Sequence, residues 1–287
     1  MKIVVTGAAG ILGREVVAQL RAQDETDLRL VDRAPIEGGG DAACVRADLS
    51  VPQDALRAVD GSDVVIHCAA VHPWKPYTDD QYLDLNVKGT HHLLKGCVNA
   101  GVSRVIYTSS IAAVGYARDP SELPLPEHVD RRPDELYGAS KLMGELLCEM
   151  YSRSDGLHVI MLRPPCFIPR NDDGFGALLL GGAYGHVSDV AQAHVLALQR
   201  PDIRCDAFYC TAPVPYTTED VDALRTDPRS VYCRYFPAAR HFILERPETE
   251  KPVGVFYDLS RARRELGYAP RVGFGSWFAE REASPGR

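Results

Sequence analysis

The stretch "KIVVTGAAGILG" (residues 2–13) decides how this chain folds. An apolar run that ends at Thr6 predicts a buried strand, and a helical period begins at Ile11. Between the two, Gly7, Gly10 and Gly13 have the spacing GxxGxxG. Glycine permits a tight turn and lets the backbone approach a pyrophosphate, toward which the following helix points its first N–H groups. The stretch therefore predicts the opening of a dinucleotide-binding fold.

An acidic residue follows at the place where such a fold reads a ribose. The next predicted strand, "LRLVD", ends in Asp32, 19 residues after Gly13. A carboxylate there can accept hydrogen bonds from the adenosine ribose hydroxyls and would repel the 2′-phosphate of NADP. Arg33 is adjacent and would soften that rejection. NAD is favoured over NADP on this ground.

Farther along, apolar strands alternate with helical patterns up to Arg163. Because these strands are apolar throughout, they indicate a parallel sheet with helices on both faces, and right-handed crossovers make it a doubly wound α/β fold. The strands read "LRLVD", "ACVRAD", "DVVIHCAA", "RVIYTSS" and "LHVIMLRP", and helices are predicted over 11–23, 53–59, 80–100 and 134–154.

Beyond Arg163 the pattern is irregular and rich in proline. It predicts helices over 188–199, 218–225 and within "SRARRELG", and a late strand "DAFYC". We therefore expect a Rossmann domain over 1–163 and a small substrate-binding region over 164–287 that is interleaved with the sheet.

Composition limits the classes of partner. The chain has 287 residues, a formal charge of −7 and no basic run, which disfavours nucleic acid. No apolar run approaches the roughly 18 residues that a membrane span needs, and no signal peptide is recognisable, so we expect a cytoplasmic protein with a small-molecule substrate. The eight cysteines form no CxxC pair or Cys/His spacing, and no metal site is predicted.

The segment "YGASK" places Tyr137 and Lys141 four residues apart at the start of a predicted helix, on one face. A free tyrosine titrates near 10, too high for a general base at neutral pH, but a neighbouring ammonium favours the phenolate. An exposed i,i+4 pair would explain the spacing without chemistry. It would not explain the glycine loop upstream or the serines that end "YTSS", of which the second is Ser110.

In combination these motifs are specific. The chain resembles the extended short-chain dehydrogenases/reductases of the NAD-dependent epimerase/dehydratase family, on "TGAAGILG", "ADLS", "HCAA", "NVKGT", "YTSS", "YGASK", "LRP" and "HVSDVAQAHVLAL". The resemblance implies that Ser110 is the catalytic hydroxyl, Tyr137 the acid/base and Lys141 its partner. It further implies a homodimer that packs the helices over 80–100 and 134–154 against a second subunit.

The same resemblance implies which residues bind NAD. They belong to the glycine loop, the ends of the next strands, one long helix and the YxxxK pair: Gly7, Gly10, Ile11, Leu12, Gly13, Asp32, Arg33, Asp48, Leu49, Cys68, Ala69, Ala70, Asn86, Tyr137 and Lys141.

The substrate side departs from several relatives. Dehydratases of the family carry Asp-Glu after the catalytic hydroxyl, where this chain has Ile111 and Ala112, which cannot transfer protons; a dehydratase is therefore disfavoured. Only 25 residues separate Arg163 from Asp189, which suggests a substrate smaller than a nucleotide sugar. A simple deletion, with the pocket rebuilt by 228–256, is the alternative explanation.

This short segment, "VGY" and "VDRRPDELYGASK" resemble uronate dehydrogenases, in which an arginine holds the substrate carboxylate; Arg170 is the candidate here. Those enzymes carry Asn-His where this chain has Ile111-Ala112. His72 could supply a polar contact instead, or be an ordinary loop histidine. Ile111 would then form an apolar part of the substrate wall.

Three functions follow. The first is an NAD-dependent dehydrogenase acting on a secondary alcohol or lactol of a small sugar-like or polar metabolite. The second is a sugar or nucleotide-sugar epimerase that retains its NAD. The third is a non-catalytic dinucleotide-binding protein, which the intact Ser110, Tyr137 and Lys141 set argues against.

Overall fold

The computed structural model describes residues 1–25, 27–167 and 172–283. Its seven strands form one sheet in the order β3-β2-β1-β4-β5-β6-β7, and the pairings among β1 to β6 are parallel. The predicted doubly wound α/β fold is confirmed. The strands are β1 Ile3–Thr6, β2 Leu28–Asp32, β3 Ala43–Arg46, β4 Val64–His67, β5 Arg104–Thr108, β6 His158–Arg163 and β7 Cys205–Tyr209.

The strand order reverses its direction at β1, which lies between β2 and β4. All residues of β1 and β4 are buried, as expected for strands covered on both faces. Thr6 at the end of β1 pairs with Val31 on one side and with His67 on the other. In such sheets the crevice at the carboxyl ends beside this reversal is where ligands bind.

The predicted helices agree with the described ones to within a few residues, and the one predicted within "SRARRELG" is a π-helix over Ala262–Leu266. The described α-helices are α1 Ile11–Arg21, α2 Pro52–Val59, α3 Asp79–Gln81, α4 Thr90–Ala100, α5 Leu136–Asp155, α6 Asp173–Leu180, α7 Val187–Leu198, α8 Val221–Thr226, α9 Pro228–Tyr235, α10 Arg240–Glu245 and α11 Phe274–Ala283. The helices α6, α9, α10 and α11 were not predicted, because the pattern beyond Arg163 is short and irregular. The helix expected over 80–100 is continuous, but its Tyr82–Gly89 segment, between α3 and α4, is a π-helix. Periodicity did not predict that widening, because a π segment changes the register without changing which residues are apolar.

Two compact units share the chain. The first comprises Met1–Gly115, Asp130–Arg163 and Ala191–Phe208, and it contains almost all of the sheet; the second comprises Tyr116–Val129, Pro164–Val190 and Tyr209–Arg287. The division into 1–163 and 164–287 stays a prediction. Among the described residues, no helix is long and apolar enough to cross a membrane.

Candidate active site

The glycine loop is shaped by close contacts of its own backbone. Gly7 has φ +69°, and a Cβ atom there would lie 2.6 Å from the backbone nitrogen of Ala69. A Cβ atom at Gly13 would overlap the carbonyl oxygen of Gly7. At Gly10 the nearest atom to an added Cβ is that same carbonyl oxygen, at 3.1 Å, and nothing else lies within 4 Å. Gly7 and Gly13 are thus needed for packing, whereas Gly10 leaves a bare surface at the start of α1.

Asp32 is fixed beside that loop. Its Oδ2 accepts a hydrogen bond from the Ala9 backbone N–H at 3.0 Å, and its Oδ1 accepts one from Ala34 at 2.9 Å. A cavity of about 680 Å³ opens at this end of the sheet, lined by Arg33, Ala34, Pro35, Arg46, Ala47, Asp48 and Asp54. Bare glycine backbone, a helix N-terminus and an oriented carboxylate next to a cavity are the donor set that a dinucleotide requires, so these residues fit NAD.

Other predicted cofactor residues follow β3 and β4 or begin α1. The Asp48 carboxylate accepts hydrogen bonds from the backbone and hydroxyl of Ser50, and Leu49 is buried. Cys68, Ala69 and Ala70 follow β4 and are half-buried. Burial raises the pKa of Cys68 to about 12, so its thiol stays protonated. In α1, Ile11 is exposed and Leu12 is buried.

Asn86 lies in the π-helix, and its side chain is already engaged within the protein. It accepts a hydrogen bond from the Val71 N–H and donates to the Val71 carbonyl, both at 2.9 Å, and it donates to the Ser140 hydroxyl at 3.0 Å. Ser140 in turn donates to the Tyr137 carbonyl. The structure thus places Asn86 as a clamp between the segment after β4 and the YxxxK helix.

Lys141 lies beneath the crevice with only 3 % of its surface exposed. Its Nζ donates to the Thr108 carbonyl at 2.8 Å and lies 5.2 Å from the ring centre of Tyr107. Burial lowers the pKa of Lys141 to about 8, against the opposing effect of Cys68, Cys148 and Glu145. Lys141 therefore joins α5 to the end of β5, the strand that carries the serines.

Ser110 and Tyr137 come from those same two elements. Ser110 is 7 % exposed, and its hydroxyl accepts a hydrogen bond from the Ala112 N–H at 3.1 Å, which caps a short 3₁₀ turn over Ile111–Ala113. The Tyr137 ring is half-buried in the first turn of α5 and lies edge-on to Tyr82, with centroids 6.1 Å apart. The structure thus brings the strand-end serine, the tyrosine and the lysine to one edge of the sheet.

A buried ion-pair network beside these residues escaped the sequence analysis. Glu145 is fully buried and accepts hydrogen bonds from Arg163 Nε and NH2, both at 2.8 Å, from Ser109 at 2.7 Å and from Arg131 at 2.9 Å. Burial alone would raise the pKa of Glu145, but the hydrogen bonds and charge of Arg163, with Ser109 and Arg131, lower it. The only signal in the sequence is that Glu145 follows Lys141 by four residues, on the same helix face.

His67 is a second buried polar residue that sequence reasoning passed over. Its Nδ1 and Nε2 contact the hydroxyls of Thr6 at 2.8 Å and Thr90 at 3.1 Å. Burial, and then the charge of Lys141, lower the pKa of His67 to about 3, so the ring is neutral. It ties the ends of β1 and β4 to α4.

The three residues predicted to face the substrate have different outcomes. His72 is the residue after Val71, whose backbone Asn86 holds. Within the described chain the buried Nδ1 of His72 has no hydrogen-bond partner. Ile111 is half-buried directly after Ser110. Arg170 lies outside the described residues. No group of three or more His, Cys, Asp or Glu in the described ranges could hold a metal ion.

Comparison with known proteins agrees with this geometry. The NAD dependent epimerase/dehydratase family matches residues 3–175. A 3 beta-hydroxysteroid dehydrogenase/Delta 5-->4-isomerase of Vaccinia virus (strain Copenhagen) is 32% identical over 253 residues, which are 76% of this chain and 73% of the viral protein. The uronate dehydrogenase of Agrobacterium fabrum (strain C58 / ATCC 33970) is 34% identical over 162 residues, which are 56% of this chain and 60% of that enzyme.

The fold has solved counterparts. A short-chain dehydrogenase/reductase superfamily protein from Agrobacterium tumefaciens with bound NAD superposes with a TM-score of 0.74 at 22% identity, over 98% of this chain and 95% of the other. The predicted resemblance is confirmed by the family match, which covers more than half of the sequence and includes the glycine loop, Ser110, Tyr137 and Lys141. This chain belongs to the NAD dependent epimerase/dehydratase family, as an NAD-dependent enzyme of the extended short-chain dehydrogenase/reductase type.

Proposed function

We propose that this enzyme is a dehydrogenase that transfers a hydride between NAD and a secondary alcohol or lactol of a small sugar-like metabolite. The observation that carries the proposal is the position of Lys141, buried one helical turn from Tyr137 and hydrogen-bonded to the end of the strand that presents Ser110. NAD supplies the hydride-accepting ring when it is bound. Side chains of the protein would exchange the proton with the substrate and hold the substrate in position.

In this mechanism Tyr137 exchanges a proton with the substrate oxygen. A phenol needs a nearby positive charge to lose its proton near neutral pH, and the Lys141 ammonium supplies one from the same helix face. Because Lys141 is buried, its field is screened less by water than that of a surface lysine. Ser110 would hydrogen-bond the same substrate oxygen and fix its distance from Tyr137.

The residues after Ser110 favour a plain redox reaction. Ile111 and Ala112 have no ionisable group, so this part of the wall could not carry the second proton transfer of a water elimination. Ala112 Cβ and the Ile111 side chain instead leave an apolar surface next to the hydroxyl. A sugar acid oxidised at its lactol carbon is the substrate class that the uronate dehydrogenase similarity favours.

The NAD-binding set would consist of Gly7, Gly10 and Gly13 around the pyrophosphate and Asp32 at the adenosine ribose. Two backbone N–H groups already orient the Asp32 carboxylate. Each of its oxygens keeps a further lone pair that can accept a hydrogen bond from a ribose hydroxyl. Arg33 and Asp48 line the cavity beyond it.

We further propose a homodimer built on α4 and α5. Met143, Leu146 and Met150 have spacings of three and four residues along α5 and are 40, 47 and 39 % exposed. An apolar stripe of this kind on a long helix is typical of a face that packs against another helix.

The test of the function is NADH absorbance with a panel of substrates: D-galacturonate, D-glucuronate, their neutral sugars, UDP-glucose and a 3β-hydroxysteroid. We expect stoichiometric NADH with the sugar acids, and loss of that turnover in Tyr137→Phe without loss of NAD binding. Turnover that survives Tyr137→Phe contradicts the mechanism. Interconversion of UDP-sugars without net NADH, by protein that purifies with NAD, would establish the epimerase alternative instead.

A further inference from the structure

The segment Val71–Tyr77, directly after the cofactor-facing end of β4, is a preformed turn. The Lys75 N–H donates to the His72 carbonyl at 3.5 Å, and the Tyr77 N–H donates to the Lys75 carbonyl at 2.9 Å. Pro73 and Pro76 fix two of the backbone φ angles within it. A turn restrained in this way loses little conformational entropy when a ligand binds.

Two separate links brace this turn against the catalytic helix. At one end, Asn86 holds both backbone polar groups of Val71 and also the hydroxyl of Ser140. At the other end, the Tyr77 ring lies edge-on to Tyr82 at 6.3 Å, and Tyr82 lies edge-on to Tyr137 at 6.1 Å. Both ends of the turn are therefore positioned relative to Tyr137.

The side chains that the turn presents are unusual for a surface loop. Trp74 is 48 % exposed, and its ring lies 6.1 Å from that of His72. Tryptophan is on average a highly buried residue, so an exposed indole on a braced turn offers a flat apolar platform. The C–H face of a pyranose ring is a surface of matching shape and polarity.

Two ammonium groups act on His72 in this turn. Burial lowers the pKa of His72, and the charges of Lys75 and Lys141 lower it further. His72 is therefore a neutral ring at pH 7. An anionic group beside Lys75 would be attracted to it. The His72 Nδ1, which has no hydrogen-bond partner among the described residues, could donate a hydrogen bond to that group when it carries the ring proton.

We propose that Val71–Tyr77 is the substrate-recognition loop of this enzyme, in which Trp74 stacks on the sugar ring and Lys75 pairs with the carboxylate of a sugar acid. The assignment rests on the proposed dehydrogenase function and specifies its substrate as an anionic sugar. It also accounts for the apolar residues Ile111 and Ala112, because the polar recognition lies on the loop after β4 and not on the loop after β5.

Trp74 gives a direct test of binding. The chain has two tryptophans, and the other, Trp277, is 7 % exposed. We expect D-galacturonate, added to the NAD-bound Tyr137→Phe enzyme so that no NADH forms, to quench the red-shifted tryptophan emission saturably, and D-galactose to do so far more weakly. Trp74→Phe should remove the response. Equal responses to the acid and the neutral sugar would overturn the role of Lys75, and a response that persists in Trp74→Phe would overturn the role of Trp74.

Kinetics give the second test. Lys75→Met should raise KM for D-galacturonate by about 10-fold or more, as expected for loss of a charge-assisted contact, with little change in kcat or in KM for NAD. Lys75→Arg should keep most of the affinity. The matched control is Lys88→Met, an exposed lysine that pairs with Asp84 on the π-helix and should change neither constant. An unchanged KM in Lys75→Met contradicts the proposal.

The outcomes also separate this inference from the proposed function. Turnover of sugar acids without quenching or a Lys75 effect would overturn the loop assignment and leave the dehydrogenase intact. Quenching that depends on Trp74 and Lys75, without turnover of any sugar acid, would support the loop and overturn the dehydrogenase. Absence of both turnover and quenching would overturn the two together.

Discussion

Burying a lysine ammonium away from water destabilises the folded state, because the charge loses its hydration. Lys141 is 3 % exposed, its ammonium donates a hydrogen bond to the Thr108 carbonyl oxygen, and burial lowers its pKa to about 8. A shift of this size below the ordinary lysine value corresponds to about 3 kcal/mol of unfavourable free energy in the charged folded state. If Lys141 has the catalytic role proposed above, its removal should stabilise the fold while it abolishes turnover.

Lys141→Met should therefore raise the free energy of unfolding, and this gain should decrease as the pH rises above 8. Below pH 8 both the folded and the unfolded wild type carry the proton, so the penalty is complete; between about 8 and 10.5 the folded lysine loses its proton first and the penalty fades. The gain in Tm of the variant over the wild type should be largest below pH 8 and shrink toward pH 10. Loss of the hydrogen bond to Thr108 reduces the gain by about 1 kcal/mol. A variant less stable than the wild type at pH 7 would show that the ammonium contributes to stability.

Alanine substitutions at two glycines of the loop should have different effects, one on stability and the other on NAD binding. Gly13→Ala puts a methyl group onto the Gly7 carbonyl and should destabilise the protein by several kcal/mol, whereas Gly10→Ala meets one atom at 3.1 Å and should leave Tm nearly unchanged. Because the Gly10 methyl would occupy the surface left bare for the pyrophosphate, Gly10→Ala should weaken NAD binding by about 10-fold or more. Thermal denaturation and NAD titration measure the two effects. An unchanged NAD affinity in Gly10→Ala would move the pyrophosphate away from this loop.

At the scale of elements, α5 is joined to the sheet by charge as well as by apolar packing. Glu145 connects that helix to Ser109 at the end of β5 and to Arg163 at the end of β6, while Arg131 bridges Glu145 and Glu149. Since Ser110 and Tyr137 sit on two of these elements, the network holds the register between them. A buried pair of this kind is weak evidence of net stabilisation, but removing one member leaves the other charge buried without its counter-ion.

Glu145→Ala should accordingly destabilise the protein by about 3–5 kcal/mol, since it removes the carboxylate that pairs with Arg163, a residue that is 2 % exposed. Arg131→Met should cost only about 1 kcal/mol, because Glu145 keeps its two bonds to Arg163 and its bond to Ser109. Asp84→Asn, which breaks the exposed pair with Lys88, is the control and should change stability by less than about 0.5 kcal/mol. Urea unfolding followed by circular dichroism gives all three values. Equal losses of unfolding free energy for Glu145→Ala and Arg131→Met would contradict the prediction that the buried pair with Arg163 matters more than the contact with Arg131.

Across the whole molecule, the parts of the fold that depend on local pattern could be read from the sequence. Apolar runs and glycine spacing predicted the strands of the sheet, α1 and the order of elements, because burial on both faces leaves an uninterrupted apolar run. The π segment over Tyr82–Gly89, the Asn86 clamp and the Glu145 network could not be read, since each depends on which distant residues meet. The pairing of Glu145 with Arg163, for example, spans 18 residues and two elements. The roles of the site residues remain predictions.

The apolar stripe on α5 carries the last prediction, on the assembly. Leu146 is 47 % exposed, and Leu244 on α10, at 44 %, offers a matched surface leucine on another helix. If the enzyme is a homodimer through α4 and α5, Leu146→Glu should shift it to the monomer mass in light scattering, because two glutamates would face each other across the symmetric contact. Leu244→Glu should leave the mass unchanged. A wild-type monomer at micromolar concentration, or a dimer that survives Leu146→Glu together with Met150→Glu, would contradict this interface, and the stripe would then need another partner.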